Sequence, residues 1–274
     1  LAAAHNLATP ATRFAIDTGV PRRPPFAAAP AMNYTASISD FFKSPKWMMN
    51  ILLAGVCVFI PFIGPIVIKG WLITGFWGRD DERPETFPDF DFSNFGKYLE
   101  RGLWPFLVTL VSGLVLGMIL SIFIVPMIML MTLIIPTDNG QASGCAAAFL
   151  VVIMVLFYVV LVTALMLVLT PLTLRASITQ DFAESFNFAF VKRFITLMWK
   201  EIILSSLFLV AASLIFVCLG AIVFCIGMYF ATVPVYFCWV HLHKQLYALY
   251  LSRGGEPIPL SPKLRDYPPP APAV

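Results

Sequence analysis

Four apolar blocks dominate the chain, at 47–77, 104–135, 146–174 and 202–240. A helix needs about 20 apolar residues to cross the hydrocarbon of a bilayer, and backbone at that depth must satisfy its own hydrogen bonds. Blocks of this length therefore restrict the chain to membrane helices. With 59% hydrophobic and only 12% charged residues among 274, no soluble core could absorb them. The predicted fold is all-α, a polytopic α-helical membrane protein.

Interruptions within the blocks set the number of segments. In the first block Pro61, Gly64 and Pro65 fall close together, where they remove helix hydrogen bonds and permit a reversal. This predicts a hairpin of two short helices, about 47–60 and 66–77, that either spans the bilayer or re-enters it. The second and third blocks each suit one tilted crossing, about 104–135 and 145–174, joined by a polar turn at 136–144. The fourth is about twice the minimum length, and a turn near Gly220 divides it into about 200–218 and 221–243. Six membrane segments result.

Lys and Arg in short loops gather on the cytoplasmic side of a membrane, which tests that number. With six segments Lys43, Lys46, Arg79, Arg83, Lys97, Arg101, Arg175, Lys192, Arg193, Lys200, Lys244 and Arg253 share one side, while the turns around Gly64, 136–144 and Gly220 carry no Lys or Arg. A single kinked helix over 47–77 would strand Lys43 and Lys46 outside. The hairpin is therefore favoured, with both termini cytoplasmic.

On that face three aromatic, weakly charged stretches, about 35–43, 93–103 and 178–199, lead towards Trp47, Trp104 and Trp199. Such stretches suit interfacial amphipathic helices, with Phe sunk in the headgroup layer, Lys reaching out and Trp at the boundary. The three tryptophans are the expected interfacial anchors. Residues 1–31, rich in Ala and Pro and ending before Met32, are expected to be a disordered extension with Met32 as the candidate native start, and the Pro-rich tail 254–274 is expected to be disordered too.

Little in the chain supports chemistry. A net charge of +3 with charges confined to loops excludes nucleic acid as a partner. The five cysteines lie scattered in apolar runs without metal-ligand spacing, and His241 and His243, two apart, occupy different helical faces. No nucleophile-elbow, metalloprotease, phosphate-loop or dinucleotide pattern occurs, so no catalytic residue, metal, cofactor or enzyme activity is expected. Lys69 is the one charge well inside an apolar block. It either snorkels to the interface or meets a ligand or lipid headgroup. Gly113, Gly117 and Ser121 form a small-residue stripe suited to close helix packing, within the chain or between copies in a homo-oligomer.

The run from Phe41 to Phe76, followed by Phe87-Pro88-Asp89-Phe90-Asp91 and Asn94-Phe95-Gly96-Lys97-Tyr98, resembles the opening of the prokaryotic membrane family catalogued as domain of unknown function 4013. More loosely the resemblance covers about residues 38–250, to Lys244-Gln245-Leu246-Tyr247. Phe92-Ser93 lengthens the loop relative to that pattern, and the hairpin exit carries only Lys69 and Arg79 as basic residues. The resemblance implies an inner-membrane protein and no activity. Two function classes follow, both with membrane lipids as partners. A membrane scaffold or accessory protein would meet a protein partner through its cytoplasmic face and the Asp80-Asp81-Glu82 loop; it is favoured slightly because solute-binding groups are sparse. The alternative is a small-solute or lipid transporter or channel with its site near the broken hairpin and Lys69.

Overall fold

The computed structural model describes residues 31–79, 81, 83–134, 142–222 and 226–265, and every regular element among them is helical. Expectations for 1–30, for most of the 136–144 turn, for Asp80 and Glu82, and for 266–274 lie outside the described residues. The α-helices are α1 (Tyr34–Lys43), α2 (Trp47–Val58), α3 (Ile63–Trp77), α4 (Phe95–Ile134), α5 (Ala142–Thr179), α6 (Phe182–Ser185), α7 (Phe188–Ile222) and α8 (Gly227–Ser252). Among the described residues three spans are long and apolar enough to cross a membrane, Phe92–Pro126, Val151–Thr179 and Phe188–Ile222. Helices α2 and α3 are apolar but shorter, with 12 and 15 residues, or roughly 18 and 22 Å at 1.5 Å per residue.

The chain reverses between α2 and α3 at the cluster of prolines. Phe62 takes a φ of 65°, a left-handed conformation uncommon outside glycine, and Gly64 N–H donates to the Ile60 carbonyl at 2.9 Å. A Cβ on Gly64 would stand 2.1 Å from the Cys57 carbonyl oxygen, so only glycine lets the two helices close. Pro65 lies in the first turn of α3, where a missing N–H leaves no hydrogen bond unmade.

Two of the three expected interfacial stretches are not separate helices. Residues 95–103 are the first turns of α4, and 188–199 are the first turns of α7; from 178–187 only the four-residue α6 stands apart. Between Ile195 and Ser205 no Gly or Pro interrupts the run, so the helix continues across the boundary. Gly102 and Pro105 do lie within α4, but packing on α3 holds that stretch helical. Helix α1 is separate, capped by Asn33, and packs on α8 through Phe41 and Phe237, with ring centroids 5.2 Å apart.

The far halves of α4, α5 and α7 expose Leu114, Ile122, Phe149, Leu156 and Leu214. Their near halves converge with α1, α2, α3 and α8 into a compact end. Here α3 is enclosed by α2, α4 and α8, with Val67, Ile68, Trp71 and Leu72 fully buried. The 87–91 loop folds underneath: Trp71 Nε1 donates to the Pro88 carbonyl at 2.9 Å, and Phe90 N–H donates to Asn50 Oδ1 at 2.8 Å. Ion pairs Lys46–Asp89, Arg193–Glu256, Arg253–Glu201 and Lys263–Glu100 gather at this end too. These ion-paired segments thus lie together at one end of the bundle.

The tail departs from expectation. Gly254, at φ 82°, ends α8, and residues 254–265 form a strap rather than a disordered terminus. Ile258 and Leu264 are buried, Ser261 N–H donates to the Ile178 carbonyl at 3.0 Å, and Ile258 N–H donates to the Tyr247 hydroxyl at 2.7 Å. Proline bars a helix here but not an extended strap, and the apolar residues between the prolines supply the anchorage. Leu264→Ala is expected to cost about 2–5 kcal/mol, read as a lower unfolding midpoint and faster amide exchange at Ser261 and Leu264.

Candidate functional site

Lys69 lies in the middle of α3 with only 5% of its surface exposed. Its Nζ donates to Thr109 Oγ1 at 3.1 Å and stands 4.5 Å from the centroid of the Trp239 ring and 5.9 Å from that of Phe106. Thr109 is set up for this by its own helix: its hydroxyl donates to the Pro105 carbonyl at 2.6 Å, which leaves its lone pairs to accept from the ammonium. No carboxylate among the described residues pairs with Lys69. A hydroxyl dipole and an aromatic face offset part of the desolvation of a buried cation, but a cation–π contact contributes only about 2 kcal/mol against several for the lost hydration. The site is short of one negative charge.

Two large cavities adjoin here, and one of them is lined by Lys69 itself. One of about 360 Å³ runs between α3, α4 and α8, lined by Pro65, Lys69, Phe106, Thr109, Leu110, Gly113, Leu114 and Tyr236. A second, of about 380 Å³, lies between α4, α5, α7 and α8 and shares Thr109 and Tyr236 as walls; its lining is apolar apart from those two, Thr170, Thr173, Ser213, Thr232 and the Trp239 indole. A small hollow of about 10 Å³ sits under Lys69 against Thr173, Ser177, Trp239 and His243. Both large cavities fall within the roughly 300–1,000 Å³ of small-molecule sites. Several hydroxyls are already engaged: Thr173 donates to Leu169 O at 2.8 Å, Ser177 to Thr173 O at 2.7 Å and Ser213 to Leu209 O at 2.7 Å. They offer acceptor lone pairs rather than donors.

The other residues singled out from the sequence fall elsewhere. Trp47 packs on Phe42, with centroids 5.3 Å apart, and Trp104 lies 6.5 Å from Phe182. Trp199 is exposed, with Lys200 Nζ 5.4 Å from its ring. Gly113 and Gly117 have no described residue within 4 Å of where a Cβ would stand, and the Ser121 hydroxyl donates to its own helix at Met118 O. No described residue of another helix packs against Gly113 or Gly117. The close approach is instead at Gly70 and Gly102, where a Cβ would stand 1.7 Å from Tyr98 O and 1.8 Å from Ile66 O respectively. His241 and His243 do face apart: His241 Nε2 is 3.8 Å from Asp40 Oδ2, whereas His243 lines the hollow under Lys69. Around Lys69 the fold gathers Thr109, Trp239 and His243, with Tyr236 in the wall of the same cavity. Tyr236, Trp239 and His243 share one face of α8 at i, i+3 and i+7 spacing, but nothing in the sequence ties that face, or Thr109 on α4, to Lys69 on α3.

A separate concavity of about 180 Å³ at the polar end is lined by Asp40, Arg79, Arg83, His241, Lys244 and Gln245 among others. Its arginines hold the neighbouring loop. Arg79 donates to the carbonyls of Gly75, Thr86 and Asp81. Arg83 pairs with Asp81 at 3.0 Å, and hydrogen bonds from Arg83 and Thr86 hold the Asp81 carboxyl well below the usual range.

A family model described as "Protein of unknown function (DUF4013)" matches residues 53–228. No curated protein and no solved structure matches the chain.

Proposed function

Since the chain belongs to the DUF4013 family, which supplies no activity, its own geometry carries the assignment, and we propose that it is a multi-pass inner-membrane protein that binds an amphiphilic membrane molecule in the cavities at Lys69. The membrane part comprises six segments, α2, α3, α4, α5, α7 and α8, with both termini cytoplasmic. In support, the ion-paired, basic-rich segments share one end of the bundle. The tip of the first hairpin exposes Phe59, Ile60, Phe62 and Ile63, which suits hydrocarbon rather than water. Its helices of roughly 18 and 22 Å fall short of a core about 30 Å thick, so the hairpin re-enters on the cytoplasmic side.

The observation that carries the functional reading is a cavity lined by the buried Lys69, which no described carboxylate pairs, sharing Thr109 and Tyr236 as walls with a second, apolar cavity. An ionisable group at membrane depth is costly and is tolerated for function. The lining is too apolar for a hydrated solute and suits an acyl chain. The scaffold reading has one observation of its own, the exposure of Phe92, Phe188 and Trp199 at the polar end. Native mass spectrometry of the chain released from mild detergent separates the two. A bound amphiphile at about one per chain is expected; a stably bound protein with no amphiphile would favour the scaffold instead.

A further inference from the structure

Resting on that lipid-binding reading, we infer that the occupant is a long-chain carboxylate, its headgroup on Lys69 and Tyr236 and its chain in the cavity between α4, α5, α7 and α8. Charge is the first reason. Lys69 is the one charged side chain among the described residues that line these cavities, so a monoanion makes the site neutral. A phosphate monoester would bring a second buried negative charge with no partner, and a zwitterionic headgroup would bring a cation with none.

Donor supply is the second reason. An ammonium has three N–H donors; one goes to Thr109, leaving two for an incoming anion. Tyr236 lines both large cavities, and no hydrogen bond among the described residues takes its hydroxyl. Thr173 and Ser177 spend their protons on helix carbonyls. Two carboxylate oxygens are satisfied by this set; a phosphodiester, whose two non-bridging oxygens make the same demand, must in addition house a second ester arm beside Lys69.

Entry is lateral, past Leu110 and Leu114, which are exposed on α4. Gly113 lines this cavity without filling it, with no described residue near its missing Cβ.

The test uses the full chain in nanodiscs of zwitterionic phospholipid, with palmitate, hexadecanol and a lysophosphatidate of the same chain length as probes. Palmitate is expected to bind at least tenfold more tightly than either of the others. Lys69→Met is expected to reduce palmitate to the level of the alcohol, Tyr236→Phe to weaken it severalfold, and Gly113→Phe to weaken palmitate and hexadecanol alike, each variant melting as a folded protein. Palmitate binding no tighter than hexadecanol, or unchanged in Lys69→Met, would overturn the assignment. Lysophosphatidate equal to palmitate would overturn the carboxylate but leave a lipid site standing. Failure of all three probes to bind would remove both.

Discussion

Gly70→Val and Gly102→Val are each expected to leave little folded protein, with a loss of about 3 kcal/mol or more. At Gly70 an added Cβ would stand 1.7 Å from Tyr98 O; at Gly102 it would stand 1.8 Å from Ile66 O and 2.8 Å from Gly70 N. The obstructing atoms are backbone, so no rotamer change relieves them and the two helices would have to part. Parting them opens the core around the fully buried Ile68, Trp71 and Leu72. Close approach of small residues is how helices associate in lipid, where no hydrophobic force drives them together. Gly113→Val and Gly117→Val, with no described residue within 4 Å of the new atom, are expected to shift stability by under about 0.5 kcal/mol. Size-exclusion profiles and melting in detergent read both pairs. A Gly70→Val protein that melts like the wild type would show that α3 and α4 do not cross there.

Lys69→Met is expected to stabilise the chain once bound amphiphile has been stripped, by about 1–4 kcal/mol. Methionine approximates the volume of the lysine stem, removes a buried cation that no described carboxylate balances, and gives up one hydrogen bond to Thr109. Binding sites commonly trade stability in this way. A lysine kept for structure would behave in the opposite sense, and a lower melting temperature for Lys69→Met in lipid-free detergent would show that its contacts with Thr109 and Trp239 matter more to the fold than its charge costs it.

How legible these features were depends on whether their cause is local. The hairpin could be read because Pro61, Gly64 and Pro65 act on their own backbone, and the shared polar end because loop charge follows each apolar block. The continuity of α4 through Gly102 and Pro105 could not, since it rests on α3 lying against that stretch. The strap at 254–265 was hidden for the same reason: prolines signal the absence of a helix, and only the surfaces beside Ile178, Tyr247 and Arg101 make it ordered. Small-residue spacing pointed at Gly113 and Gly117 because it records where backbones are able to approach, whereas the approach at Gly70 and Gly102 depends on which helices pack. In the site, Lys69 stood out as a lone charge in an apolar run. Thr109, Tyr236 and Trp239 did not, since a hydroxyl or an indole in a membrane helix is unremarked until the fold brings it to a cation.

Photo-crosslinking of a palmitate analogue carrying a diazirine near its chain end tests the central claim most directly, with the labelled residues mapped by mass spectrometry. Labels on Leu209, Ser213, Val217 and Thr232, which line the cavity between α4, α5, α7 and α8, and their loss in Lys69→Met, are the expected result. Labels spread over the outward-facing Met48, Leu52, Leu156 and Leu214, and unchanged by Lys69→Met, would contradict it.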